Sequence, residues 1–207
     1  MHTVELLRPS EVFPAWPRAQ HHAQLYARET PPARHVLRTT GFLAPEHADR
    51  VAEWFLAPDA PPTADVRRAY RALEDESVLL LALVRECLGV RVRYATEEPY
   101  ASASDLCSDL REHGSMTLVR EASHPVLSAA GFDALRVVHD VLGHAALGVG
   151  FDLQSEFATW LQCRTLFSPA ARPAAFCELV GAVTAYVVTG EKPGLRAKLP
   201  PAGLLGD

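Results

Sequence analysis

A short apolar segment of the chain, residues 135–144, contains two histidines and an acid: His139, Asp140 and His144. Burying a polar side chain without a partner costs roughly 1–3 kcal/mol, so two imidazoles within an apolar helix need partners. A divalent metal ion would satisfy both, because neutral imidazole is the commonest protein ligand for such ions. The segment therefore predicts a metal site.

The spacing of the two histidines constrains the helix that carries them. Residues five apart point about 140° apart on an ideal α-helix. The rings converge only if the helix ends, or bulges by one residue, between them. Gly143 is the residue that would permit this. The alternative is structural: His139 hydrogen-bonds within the core, and His144 pairs with Asp140 one helical turn away.

Two glutamates in apolar surroundings are candidates for the carboxylate ligand that a two-histidine site needs. Glu178 lies within a predicted helix and has no cation three or four residues away, so it is predicted as the third ligand. Glu156 lies near a helix start, where an acid is favourable anyway. Glu156 and Asp140 are therefore predicted as a fourth ligand or as groups that orient a ligand, and which of the two glutamates is the carboxylate ligand stays open. Two histidines and one carboxylate, with open positions, are typical of non-heme Fe(II) oxygenases.

These residues resemble a known iron-binding segment. The stretch His139-Asp140-Val141-Leu142-Gly143-His144 resembles that of the pterin-dependent aromatic amino acid hydroxylases. Phe157-Ala158 and Cys177-Glu178-Leu179 resemble the parts that follow in that family, so the resemblance covers about residues 135–185. It implies Fe(II), O₂ and a small aromatic or amino-acid-like substrate. A pterin co-substrate stays open, as do Zn and Mn as alternative metals.

A second similarity covers more of the chain. It includes Tyr100-Ala101-Ser102, His124-Pro125-Val126-Leu127 and Gly150-Phe151, and it looks like an uncharacterised family of actinobacterial and phage proteins. This similarity implies that His124 and Glu156 belong to one site, and it implies no activity.

A third resemblance suggests a different enzyme class. His139-Asp140 followed by Gly143-His144 resembles the His-Asp dyad of HD-type metal-dependent phosphohydrolases. That class also needs an upstream histidine, for which His113 or His124 could serve, and a downstream acid such as Asp152. A non-catalytic helical binding module, in which the polar cluster only stabilises the core, is the third possibility.

Several other polar and aromatic residues are candidates for the wall of a substrate pocket. Arg120 or Arg164 could bind a substrate carboxylate through two parallel hydrogen bonds. The alternative for all of these candidates is a structural role in a turn, in the core or in a surface ion pair. The predicted pocket residues are His124, Arg120, Tyr100, Trp160 and Arg164.

The composition bounds the remaining possibilities. A chain of 207 residues with 48% apolar residues can bury a core within one domain. Its net charge of -5 argues against a general nucleic-acid binder. No apolar run approaches the roughly 20 residues needed to span a bilayer, and no signal peptide is visible.

The four cysteines form no Cys-x-x-Cys pair, so we expect reduced, mostly buried thiols in a cytoplasmic protein. The oligomeric state is not predicted.

Hydrophobic periodicity predicts a mainly α fold, a single helical domain with a small two-stranded β element. Residues 1–40 are expected to form an irregular Pro-rich arm with a short helix near 19–28, residues 41–190 a helical metal-binding core, and residues 191–207 an irregular tail. Within the core the pattern predicts helices over about 45–57, 63–88, 104–112, 132–147, 153–167 and 173–189, and strands over 90–94 and 116–119.

Overall fold

The protein is described by a computed structural model that covers residues 9–39, 43–120 and 123–205. Helices dominate it, and the prediction of a mainly α fold with a small two-stranded element is confirmed. The helices are α1 Pro17–Tyr26, α2 Arg34–Thr39, α3 Pro45–Leu56, α4 Ala64–Leu83, α5 Ala103–His113, α6 Ala129–His139, α7 Leu153–Cys163, α8 Arg172–Phe176 and α9 Ala182–Thr189. π-Helical segments Val84–Leu88, Asp140–Ala145 and Cys177–Gly181 extend α4, α6 and α8.

Side-chain caps and glycines set the ends of α4 and α5. Thr63 accepts a hydrogen bond from the Val66 amide at the start of α4. Ser102 and Asp105 form a reciprocal capping box at the start of α5. Gly114 ends α5 with φ 59°, a left-handed conformation that glycine adopts at little cost.

The small sheet joins β1 Arg91–Ala95 to β2 Ser115–Val119. The strands run parallel, with Arg91 opposite Ser115. Parallel strands need a crossover connection, and α5 supplies it. The sequence predicted the pair and left its direction open.

Two helices predicted as continuous are interrupted in the structure. The predicted helix 132–147 contains the π segment Asp140–Ala145, and the predicted helix 173–189 contains Cys177–Gly181. A π segment accommodates one extra residue per turn, and an apolar pattern on both sides of it still looks helical. The predicted helix 153–167 ends earlier, at Cys163.

The N-terminal arm was predicted to be irregular apart from a short helix near 19–28, and from residue 9 onwards it is more ordered than that, because a second helix, Arg34–Thr39, follows the first. It contains α1 and α2, and Trp16, Ala19 and Ala23 are buried in the main core. Proline at the first position of α1 starts the helix rather than breaking it. Residues 1–8 and 40 of the predicted arm lie outside the described residues. In the tail, residues 191–205 contain no helix or strand, and 206–207 lie outside the described residues.

The first described residues hold the loop that follows the π segment Asp140–Ala145. The Trp16 amide donates to the Ala145 carbonyl at 2.7 Å, and the Phe13 amide donates to the Gly148 carbonyl at 3.0 Å. The Gly150 amide in turn donates to the Glu11 carbonyl at 3.1 Å. The arm is thereby fixed against the polypeptide that carries His144.

The sequence also predicted reduced, mostly buried cysteines and contained no apolar run long enough to span a bilayer. All four cysteines are free, and Cys107, Cys163 and Cys177 are buried. Among the described residues, no helix has both the length and the apolar character required to cross a bilayer.

We predict that Gly148→Ala destabilises the protein more than Gly190→Ala. Both glycines have positive φ, 74° and 76°, so alanine costs about 1–2 kcal/mol at either position. At Gly148 the added Cβ would also lie 2.2 Å from the Phe13 carbonyl oxygen, whereas at Gly190 nothing lies within 4 Å. Displacing the arm should cost a further 1–3 kcal/mol, roughly as overpacking does. Urea unfolding of both variants checks this, and equal losses would contradict the packing of the arm.

Candidate metal centre

The π segment Asp140–Ala145 brings the two predicted histidines together. Hydrogen bonds of the i→i+5 type place residues five apart on the same side of a helix. The ring centroids of His139 and His144 are 4.6 Å apart, and the ring planes are nearly perpendicular at 89°. The spacing left two ways for the rings to converge, a helix end or a bulge, and the structure has the bulge, which lies between the two histidines.

Gly143 is needed for close helix packing rather than for an unusual backbone conformation. Its φ is not positive, so the conformational role predicted from the sequence does not apply. A Cβ at this position would lie 2.2 Å from Thr159 Cγ2, on α7. Further along α7, the Gln162 side-chain amide donates to the Leu142 carbonyl within the π segment. Helix α7 thus packs directly on the bulge and stabilises it.

The same helix supplies the carboxylate. Asp152 caps α7 by accepting hydrogen bonds from the amides of Gln154 and Ser155, both at 3.1 Å. Glu156 lies in the first turn, with its Oε2 3.0 Å from His139 Nε2 and 3.4 Å from His144 Nε2. Ligand atoms of His139, His144 and Glu156 all lie within 4.8 Å of one another.

The hydrogen-bond partners of the two Nδ1 atoms determine which tautomer each imidazole adopts when it is neutral. His139 Nδ1 lies 3.1 Å from Asp140 Oδ1, and His144 Nδ1 lies 3.2 Å from the Val149 carbonyl oxygen. A carboxylate and a carbonyl only accept hydrogen bonds, so each Nδ1 carries the proton. The Nε2 atoms therefore direct lone pairs towards Glu156, the arrangement found in metal-ligating histidines.

The cluster consequently needs a positive charge. Both Nε2 atoms are buried and make no hydrogen bond of good geometry within the described structure, a situation that costs roughly 1–3 kcal/mol per atom. Burial alone would lower the pKa of His139, but the charge of Glu156 and the hydrogen bond to Asp140 outweigh burial and raise it. Burial would raise the pKa of Glu156, but His144 and His139 lower it. A proton or a metal cation would supply the missing charge.

The centre opens onto a cavity of about 620 Å³. His139 and Glu156 contribute to its wall, whereas the ring of His144 is fully buried behind them. Most of the remaining wall is apolar or aromatic, and it includes Phe132, Leu135, Phe151, Leu179, Val183 and Tyr186. A small organic molecule in this cavity would lie beside the three converging ligand atoms.

Glu178, the predicted third ligand, does not join the group of converging ligand atoms. Its Oε1 accepts a hydrogen bond from the Tyr70 hydroxyl at 2.5 Å and lies 3.2 Å from His124 Nε2. Glu178 still lines the cavity. The structure thus brings Glu156 to the histidines, in the position for which the sequence favoured Glu178. Glu156 looked ordinary in the sequence because an acid near a helix start needs no further explanation.

None of the five predicted pocket residues lines this cavity. His124 and Arg120 instead line a smaller cavity of about 250 Å³, and Arg120 also covers the ring of Tyr94. Tyr100 donates to Asp109 at 2.7 Å and holds β2 through the Thr117 amide.

The other two predicted pocket residues are also engaged elsewhere. Trp160 is buried against Phe176 and donates to the Leu205 carbonyl. Arg164 lies 4.0 Å from Glu29. Sequence reasoning missed the cavity residues on α6 and α9, which appear as ordinary apolar helix positions, and it missed Tyr70, whose helical spacing predicts only core packing.

The upstream histidine and downstream acid that the HD-type phosphohydrolase hypothesis requires are not assembled at the centre. His113 pairs with Asp109 at 3.1 Å on α5, His124 contacts Glu178, and Asp152 caps α7. Within the described residues, the converging group holds only His139, His144 and Glu156.

Comparisons of the chain with protein-family models, with curated proteins and with solved structures find no match. The resemblance to the aromatic amino acid hydroxylases therefore stays a prediction, carried by the residues named above.

We predict that Gly143→Ala destabilises the protein by about 1–3 kcal/mol, through overpacking against Thr159. Thr159→Ser removes the methyl group that the new Cβ would meet and should by itself cost about 1 kcal/mol. In the double variant the two losses should be less than additive, because the clash is relieved. Urea unfolding of the four proteins provides the cycle, and strict additivity would show that α7 does not press on the bulge.

Proposed function

We propose that the protein is a mononuclear non-heme iron oxygenase that hydroxylates a small, largely apolar organic molecule. One observation carries the proposal: two imidazole nitrogens and a carboxylate oxygen converge at the wall of a largely apolar cavity. Three acceptors in this arrangement require a cation, and a divalent metal ion suits two nitrogens and one oxygen.

The donor set favours iron among the common metals. Structural zinc sites are rich in cysteine, and the nearby thiol of Cys163 has its pKa raised by burial, which opposes the thiolate form that metals bind. Two histidines and one carboxylate leave coordination positions open, as in Fe(II) oxygenases. Zn and Mn are the alternatives to be tested directly.

The reaction requires a reductant as well as O₂. Insertion of one oxygen atom into a C–H bond consumes the substrate, O₂, two electrons and two protons, and yields an alcohol and water. The electrons would come from an organic two-electron donor, of which a reduced pterin is the class implied by the resemblance. Iron, when bound, supplies the activation of O₂.

The chain's own residues would hold the ligands and shield the reaction. Asp140 and the Val149 carbonyl fix both imidazoles in the tautomer that binds metal. Phe151 packs edge-on against His144 at 5.0 Å and closes one side of the centre. The apolar cavity wall would exclude water from the oxidising species and bind the hydrocarbon part of the substrate.

We predict that the protein binds about one equivalent of Fe(II), and that the metal is lost in His139→Ala, His144→Ala and Glu156→Gln. Glu178→Gln is the matched control, because it changes a second buried glutamate of the same cavity and should retain the metal. Metal analysis after anaerobic loading, together with melting curves with and without Fe(II), Mn(II) or Zn(II), measures both effects.

Each other outcome of this experiment has a definite meaning. Loss of metal in Glu178→Gln, with retention in Glu156→Gln, would restore the ligand set predicted from the sequence. Two equivalents of metal with phosphatase activity would favour a hydrolase. Folded variants and wild type that all fail to bind metal would indicate a non-catalytic module.

A second prediction concerns the open coordination positions. Nitric oxide binds to Fe(II) where O₂ would, so the Fe(II)-loaded protein should give a high-spin iron–nitrosyl signal in electron paramagnetic resonance. A coordinatively saturated centre gives no such signal, and that result would contradict an oxygenase while leaving a structural metal site in place.

A further inference from the structure

Glu178 is the second carboxylate of the cavity, and the centre described above does not use it. Its side chain is only 7% exposed, and it contributes to the same wall as His139 and Glu156. It lies on the π segment Cys177–Gly181, a different segment of the chain from the one that carries the histidines. A buried carboxylate in an apolar cavity is costly unless donors satisfy it.

Two donors hold one of its oxygens. The backbone amides of Val126 and Leu127 donate to His124 Nδ1 at 3.1 and 2.9 Å, so the proton of the neutral ring lies on Nε2. This Nε2–H is directed at Glu178 Oε1, 3.2 Å away.

The second donor is the hydroxyl of Tyr70, 2.5 Å from the same Oε1. Burial, followed by the charge of Glu178, raises the pKa of Tyr70 well above its usual value, so the hydroxyl keeps its proton and donates. The ring of Tyr70 stacks on His124 at 5.4 Å, which fixes both donors. No hydrogen bond reaches Oε2 from the residues that the structure describes, so Oε2 is the oxygen left for the cavity.

We infer that Glu178 binds the ammonium group of the substrate, so that the preferred substrates are small amines with an apolar body. This inference deepens the proposed function and depends on the cavity being the substrate site. A carboxylate only accepts hydrogen bonds, and an ammonium group offers three donors and the opposite charge. The apolar wall would bind the hydrocarbon body and leave it beside the metal ligands.

The other charged residues at the cavity do not favour an anionic substrate. The Arg136 guanidinium donates to the Val119 carbonyl at 2.7 Å and lies 3.8 Å from Asp133, so it is engaged with β2 and its own helix. Lys192 and Glu98 are exposed, where charges are screened by solvent. The charge of Glu156 is compensated by the cation that its centre requires, so Glu178 is the buried carboxylate of the wall that opposes a carboxylate ligand.

The test uses two probes with the same body and opposite charges, cyclohexylmethylamine and cyclohexanecarboxylate. Calorimetric titration at neutral pH into the full-length, Fe(II)-loaded protein under argon should show at least about tenfold tighter binding of the amine, or about 1.4 kcal/mol. Glu178→Gln should abolish this preference. Glu98→Gln is the matched control, since it removes a carboxylate at the exposed edge of the cavity and should leave the preference unchanged.

Several outcomes would overturn the inference. It fails if the wild-type protein binds the two probes equally or prefers the acid, a result that does not depend on any variant folding. It also fails if Glu178→Gln, shown to be folded by its circular dichroism and melting curve, still prefers the amine, because direct coordination of the amine to iron would then explain the binding. Loss of iron in Glu178→Gln would make Glu178 a metal ligand and would likewise overturn it.

The result is separable from that of the proposed function. Iron binding without a preference for amines leaves the oxygenase proposal standing and removes the role of Glu178. A Glu178-dependent preference for amines in a protein that binds no metal supports the amine site and removes the oxygenase.

Discussion

The structure of this centre is governed by one electrostatic requirement: three hydrogen-bond acceptors face one another at a largely buried position. Each imidazole has its Nδ1 proton committed to an acceptor, Asp140 for one ring and the Val149 carbonyl for the other. The lone pairs that remain are directed at Glu156. A cation, either a proton or a metal ion, would relieve this arrangement. In the proposed function, a metal ion would take the place of a proton as the compensating charge.

The backbone makes this convergence possible by adding one residue to a helix. A regular α-helix would direct the two histidines apart, and the resulting structure would hold two unrelated core histidines. The π segment rotates His144 onto the side of His139, and α7 presses against the bulge at Gly143. The same helix carries Glu156, so the contact that stabilises the bulge also brings a carboxylate to the two histidines. Geometry and stability therefore depend on the same packing interaction.

Local chemistry made much of this predictable from the sequence. Thr63, Ser102 and Gly114 are capping residues whose effect is confined to neighbouring residues, and the elements they bound were predicted closely. The spacing alone indicated that the two rings could converge only if the helix ended or bulged between them. The sequence could not show that Glu156, rather than Glu178, lies beside the two histidines, because this depends on which helix packs opposite the bulge. The true donors to Glu178, Tyr70 and His124, are separated from it by 108 and 54 positions and leave no local pattern.

The attachment of the N-terminal arm has a consequence for the order of folding. Ser10 bonds to Asp152, the residue that caps α7, across 142 positions of sequence. Contacts of such high sequence separation form late, after local helices have appeared, because closing long loops is entropically costly. The cap beneath Glu156 and the loop beside His144 are both secured by this closure. During synthesis, His139, His144 and Glu156 can therefore come together only after residue 156 has left the ribosome.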